Sequence, residues 1–381
     1  MGGVEYTTLR TAQALDKTRF APLLICPAEG DLPRLARQSG LDVAIVPRPK
    51  FESVSWFISG RYIANPLGFI VSAVNILRAA LRMQKYLQAH PVQIVITKGL
   101  MAHFYGGLAA RWSHIPCLWF VQEEVDQHRG GGAYRFILAQ GAKRLPSKII
   151  VDALALLDQF PDREGIQVIY NGIDPDEFAP FSPRQKMDAH LAFHIPQGGV
   201  VIGQAGRLIP LKGQSLLLRA FIGLAAEFPD LHLILVGASL FGDEAYEGAL
   251  RAQAVRSGLT GRVHFTGFLP DVRFGLAAMD IFVQASVETD SPVAVLEAMS
   301  CALPVVVSGV RGSLEMVEPD SDAIVFPPGD VDALTLALAS LLRFPSLRAE
   351  MGNKARASVI RKFSLQATTA QFESLLSQFA V

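Results

Sequence analysis

The chain has 381 residues, 50% hydrophobic and 18% charged, too many for one ordinary core and too apolar for a disordered protein, so two globular domains are expected. The formal net charge is zero, but residues 1–150 hold 18 Lys+Arg against 9 Asp+Glu, +9, and the remainder 17 against 26, −9. That polarity fits an anionic partner of the first half (a phosphorylated acceptor or a membrane surface), or scatter on two solvated surfaces. The mean hydropathy of +0.30 prompts a search for membrane spans. The strongest segment, 67–81, is interrupted by Asn75 and Arg78 and falls short of the ~20 apolar residues a span needs, so it reads as a buried or interfacial helix. Cys26, Cys117 and Cys301 lie far apart and define neither a disulfide framework nor a metal spacing, which suits a reducing compartment. No signal-peptide pattern opens the chain.

The first element is a glycine turn, Met1-Gly2-Gly3, running into a helix over roughly 4–15. A doubly wound domain places a strand before such a turn, so either the chain is clipped or the sheet is one strand short. Apolar runs follow at 20–26, 42–47, 92–97, 117–122 and 148–152, then at 199–204, 231–237, 262–266, 280–284, 304–308 and 323–326. Most lack polar alternation, as expected of strands buried on both faces of a parallel sheet. With helices between them they predict two doubly wound α/β domains. The turn-rich stretch 171–198 divides them, and a polar helix spans 183–192. The amphipathic tail 364–379 is expected to pack back on the first domain.

Two stretches carry the chemistry. At 201–220 a strand ends in Gly203–Gly206, Arg207 and Lys212 flank a loop, and Gly213 opens a helix. Arg and Lys suit a diphosphate, although alone they would read as two solvated loop cations. At 285–308 a strand end is followed by Glu288, by Asp290 or Ser291 as cap, and by Pro292 at a helix start. A helix N-terminus offers free amides and partial positive charge to an anion. Glu297 reads either as an acceptor for ribose hydroxyls or as a carboxylate complementing the helix dipole. Glu288 reads as a sugar contact or a solvated loop acid.

These motifs resemble family 4 glycosyltransferases: Gly-Arg-x5-Gly, Glu…Pro-x4-Glu-Ala-Met-x-Cys-x-x-Pro-Val-Val and Asn-Gly-Ile-Asp. Supporting matches are Gly2-Gly3-x-Glu5, Gly267-Phe268-x-x-Asp271 and Phe326-Pro327-Pro328-Gly329-Asp330. The resemblance implies a GT-B fold, with two Rossmann-like domains facing a central cleft. An acceptor-binding domain would span 1–172, a nucleotide-sugar domain 173–363, and a returning helix 364–381. It implies a retaining transfer from a nucleoside-diphosphate sugar to a glycan or lipid-linked acceptor. Arg207 and Lys212 would neutralise the diphosphate and Glu297 would bind ribose. The backbone of Pro292, Val293, Ala294 and Val295 and the Gly2-Gly3 turn would approach the phosphates. Glu288 or Asp290 would contact the sugar.

The chain departs from the family in three places. Glu288 and Glu297 have eight residues between them where relatives have seven, so Thr289 takes the acidic slot. Gln122-Glu123-Glu124 stands where relatives end a strand with a His facing the donor sugar, which leaves His103 and His128 as candidates. Ala302 stands where relatives favour Gly to end a helix. No cofactor, no metal and no nucleic-acid partner are expected. The expected location is cytoplasmic, with peripheral contact at the inner face of an anionic membrane through the basic, aromatic stretch 51–90 around Trp56, Phe57 and Tyr62. A non-catalytic nucleotide-binding paralogue and a sugar-nucleotide epimerase are the alternative readings.

Overall fold

The computed structural model describes residues 3–52, 55–58, 61–122, 131–239, 243–288 and 293–379; the side chains of 55–58, 61–64 and 131–134 lie outside the described part. Two compact units result, one of residues 1–172 with 365–381 and one of residues 173–364.

The first unit contains strands β1 (Leu23–Cys26), β2 (Asp42–Ile45), β3 (Ser55–Ile58), β4 (Arg61–Ala64), β5 (Val95–Lys98), β6 (Cys117–Val121), β7 (Lys148–Val151) and β8 (Gln167–Val168). Its parallel strands form two ladders, β1-β2 and β5-β6-β7-β8, while β3 and β4 make an antiparallel hairpin. β6 reads Cys-Leu-Trp-Phe-Val with every residue buried. Its two faces therefore feed two cores. Trp119 and Val121 pack with Leu138, Leu156 and Phe160. Leu118 and Phe120 pack with Leu15, Ile150 and the closing helix Leu365–Leu376, through Phe372, Leu375 and Leu376. The closing helix comes very near the end of Asn171-Gly172. A Cβ on Gly172 would lie 2.1 Å from Thr368 Oγ1 and 2.7 Å from the Leu365 Cα.

The second unit contains β9 (Val200–Ala205), β10 (Leu231–Val236), β11 (Val263–Gly267), β12 (Ile281–Gln284), β13 (Val305–Ser308) and β14 (Ala323–Phe326). They form one parallel sheet in the order β11-β10-β9-β12-β13-β14. β10, β12 and β13 are buried throughout, as strands covered by helices on both faces must be. The helix Gln214–Leu224 covers one face with Leu216, Leu217, Leu218, Ala220 and Phe221. The helix Pro183–Ala192 starts on a capping box, in which Ser182 and Gln185 satisfy each other's backbone amides and Pro183 takes the first turn.

Candidate active site

In the second sheet β9 has β10 on one side and β12 on the other, so the strand order reverses between β9 and β12. Ligands of open parallel sheets bind outside the carboxyl ends of the strands at such a reversal. Both motif stretches leave the sheet there. Ala205 ends β9 and Gly206, Arg207 and Lys212 follow; Gln284 ends β12 and Ala285 through Glu288 follow.

Close backbone approaches fix this corner. Gly206 and Gly237 both have positive φ, and a Cβ on Gly237 would lie 2.0 Å from the Gly206 carbonyl oxygen. Gly213 sits at φ 67° after the short 3-10 turn Pro210–Lys212. A Cβ there would lie 1.9 Å from the Ala285 carbonyl oxygen. The Val287 amide donates to the Leu211 carbonyl across 3.0 Å, and Ser308 Oγ donates to the Ser286 carbonyl at 2.6 Å. Two buried amides hold the cationic loop from beneath. Gln204 Nε2 donates to the Lys212 carbonyl and Gln214 Nε2 to the Arg207 carbonyl, each at 2.7 Å. Gln204 and Gln214 both sit inside the 201–220 stretch, between its charged residues and its apolar runs. A Gln among buried apolar neighbours was the available signal, since a buried amide must find partners.

Arg207 is exposed at this corner, Lys212 half-buried and Glu288 exposed. Glu297 is nearly buried in the helix Val293–Ser300, with Val293 and Ala294 half-buried and Val295 buried at its start. Burial, helped by the Glu297 carboxylate, pushes the adjacent Cys301 thiol up to about 12 and keeps it protonated. Asp290 and Pro292 lie outside the described residues, and so do Gly2 and His128. Gly3 is the first residue of the helix Gly3–Ala14 in the first unit. The corner can thus offer two cations and a nearly buried carboxylate at the end of one sheet. No group of three or more His, Cys, Asp or Glu side chains able to hold a metal occurs among the described residues.

The first unit corrects one expectation. His103 belongs to the interior of the helix Leu100–Trp112 and is 2% exposed. Its Nδ1 shares a hydrogen bond with Thr97 Oγ1 at 2.8 Å, and its ring stacks on Trp119 at 5.1 Å. Burial lowers its pKa to about 3, so it is a neutral residue of the core, with Nδ1 already engaged by Thr97.

A different polar cluster stands at the carboxyl ends of this unit's strands. Asp152 Oδ2 accepts from Asn171 Nδ2 at 2.7 Å and from Gln122 Nε2 at 3.3 Å. Gln122 Nε2 also reaches Asn171 Oδ1 at 3.0 Å and Thr7 Oγ1 at 3.3 Å. The Lys98 ammonium is buried, has no hydrogen-bond partner among the described residues, and lies 4.4 Å from the Phe120 ring centre. Burial pulls Lys98 down to about 7, against the charge of Asp152, and raises Asp152 to about 7. In the sequence Lys98, Gln122 and Asp152 each stand at the carboxyl end of an apolar run, but nothing local says that these ends converge.

Two family models together span most of the chain, Glycosyltransferase Family 4 over residues 1–177 and Glycosyl transferases group 1 over residues 188–358. Among curated relatives, the Escherichia coli UDP-Gal:alpha-D-GlcNAc-diphosphoundecaprenol alpha-1,3-galactosyltransferase is 25% identical over 350 residues, covering 89% of this chain and 84% of its own. A GDP-mannose-dependent monoacylated alpha-(1-6)-phosphatidylinositol monomannoside mannosyltransferase of Corynebacterium glutamicum is 31% identical over 215 residues, 54% of each chain. Among solved structures, Anabaena Alr3699/HepE in complex with UDP and glucose superposes with a TM-score of 0.82 at 24% identity, covering 99% of this chain and 96% of that one. With the two parallel α/β units and the switch-point corner already in place, these matches make the chain a member of the family 4, group 1 glycosyltransferases, with the GT-B fold.

Proposed function

We propose that the protein transfers a sugar from a nucleoside-diphosphate sugar to an acceptor hydroxyl, with retention at the anomeric carbon. The observation that supports this reading is the strand-order reversal between β9 and β12, with Arg207 and Lys212 following β9 and the helix bearing Glu297 following β12. Arg207 and Lys212 face the diphosphate and offset the charge that builds on it as the sugar departs, a role that calls for no metal. Glu297 accepts from the ribose hydroxyls. Glu288 or Asp290 contacts the sugar, and the helix start at 292–295 approaches the phosphates. The acceptor hydroxyl attacks from the face the diphosphate leaves, and positioning supplies much of the remaining acceleration. The acceptor is a glycan or lipid-linked glycan bound by the first unit, at the cytoplasmic face of a membrane. The diphosphoundecaprenol-linked substrate in the name of the E. coli relative supports that class.

Calorimetry with UDP, GDP and ADP tests the donor site. One of them binds, and Lys212→Ala weakens it by about 1.5–3 kcal/mol, roughly 10- to 150-fold, the size of a charge-assisted contact. Unchanged affinity in Lys212→Ala refutes the diphosphate role. A second reading, binding without turnover, is favoured by Gln122, whose amide is tied to Thr7, Asp152 and Asn171 where relatives are expected to place a His. Release of nucleoside diphosphate from a donor sugar separates the two, since the non-catalytic protein binds and releases none.

A further inference from the structure

The helix Pro66–Ala89 has 24 residues and two unlike faces. Gly68, Ser72, Ala79, Ala80, Met83 and Leu87 are buried, and Met83 and Leu87 join a core cluster with Ala109. On the opposite side Leu67, Ile70, Val71, Val74, Leu77 and Leu81 are 41–68% exposed. Their spacing of three and four residues makes one continuous stripe. A large apolar stripe turned to water marks an interaction surface.

Cations extend the stripe. Arg78 and Lys85 fall on the same side of the helix and Arg82 lies beside them, all exposed, and no Asp or Glu occurs between residues 66 and 89. The segment alongside adds exposed Arg48 and Lys50 and one exposed acid, Glu52. It is fastened to the helix by Asn75 Nδ2 donating to the Lys50 carbonyl at 2.8 Å and Arg82 to the Pro47 carbonyl at 3.2 Å. By length and hydropathy the helix could cross a bilayer. Its inner face is committed to the first unit, however, and Ser72 Oγ both donates to and accepts from the Glu52 backbone at 2.9 Å. Spanning would strip that face from its core.

We propose that the outer face of Pro66–Ala89 lies in the plane of an anionic bilayer surface, with the Leu67–Leu81 stripe at the acyl boundary and Arg78, Arg82 and Lys85 at the headgroup phosphates. Charge decides the occupant, because an apolar protein partner would leave these cations without counter-charge, whereas an anionic leaflet matches both halves of the face. The surface belongs to the first unit alone and stands whether or not the second unit binds a nucleotide sugar.

Sedimentation of the full chain with vesicles of phosphatidylcholine, with and without phosphatidylglycerol, tests this. The protein binds the phosphatidylglycerol vesicles at low salt and is released by high salt. Arg78→Gln and Lys85→Gln together weaken binding on the order of 25-fold, about fivefold per cation. Ile70→Glu with Val74→Glu weakens it at least about tenfold, and both variants melt like the parent because the changed side chains are exposed. Failure to bind phosphatidylglycerol vesicles at low salt overturns the proposal, as does binding undiminished in both variants. A dimer abolished by Ile70→Glu with Val74→Glu, without vesicle binding, assigns the face to a second copy instead.

Discussion

The amide of Val287 donates to the carbonyl of Leu211 across 3.0 Å, so the strand end that leads to Glu288 and the turn that carries Lys212 form one piece. Gly213 completes the joint, because its bare Cα lets the turn close against Ala285. Gly213→Ala places a methyl 1.9 Å from the Ala285 carbonyl oxygen at φ 67°. The left-handed backbone costs an alanine about 1 kcal/mol and the forced backbone shift about 1–3 kcal/mol more. The variant melts lower by that amount and binds nucleoside diphosphate more weakly, since Lys212 moves with the turn. Calorimetry and a thermal melt on the same preparation read both effects, and a variant matching the parent in both removes the joint from the site.

His103 shows where reading by residue type failed. A His in the pattern Lys98-Gly-Leu-Met-Ala-His could face a sugar, although a lone His more often fills a core or meets solvent. The contacts that settle it, Thr97 and Trp119, come from two different strands. His103→Phe keeps the ring stack and retains turnover, whereas His103→Ala opens a cavity and costs about 2–4 kcal/mol of stability. A hundredfold loss of kcat in His103→Phe with an unchanged melt would return His103 to the reacting centre.

The strands were legible because burial on both faces leaves uninterrupted runs such as Leu231–Val236, which is buried throughout. The hairpin β3-β4 was not, since Trp56, Phe57 and Tyr62 read equally well as an aromatic edge; their side chains lie outside the described residues. In the site, Arg207, Lys212 and Glu297 could be placed from two stretches that each end a strand. The Gln122–Asp152–Asn171 cluster was hidden because its members are 30, 49 and 19 residues apart in pairs, and only the β6-β7-β8 ladder brings them together.

Lys98 and Asp152 make stability depend on pH in opposite directions. Asp152 holds its proton to about 7 in the folded state, while the unfolded chain releases it near 4. Over that window the folded state binds more protons, so stability falls as pH rises. Lys98 gives up its proton at about 7, while the unfolded chain keeps it to about 10. Between those values the unfolded state binds more protons, so stability climbs. The contribution of the two groups is therefore least near neutrality. Denaturant melts from acid to alkaline pH show the falling limb flattened in Asp152→Asn and the rising limb flattened in Lys98→Met. Parallel profiles for both variants and the parent would show that neither group titrates in these windows.

Ala302 follows the helix that carries Glu297 and has φ 58°. The Leu303 amide donates to the Ala298 carbonyl at 3.1 Å and the Ala302 amide to Met299 at 3.0 Å, the pattern of a helix ended by a left-handed residue. Glycine adopts that conformation without strain, so Ala302→Gly stabilises the second unit by about 0.5–1 kcal/mol, less the extra freedom it gives the unfolded chain. The neighbouring position responds in the opposite sense. A Cβ on Gly352 would lie 2.1 Å from the Ala302 carbonyl oxygen, so Gly352→Ala must push the helix Pro345–Ser358 away from this turn and costs about 1–3 kcal/mol. Nucleoside-diphosphate affinity is unchanged in Ala302→Gly, because the substitution relieves the end of the helix opposite its Val293 start. Thermal melts read the two signs, and a destabilised Ala302→Gly would mean that the methyl group contributes more through packing than its backbone loses through strain.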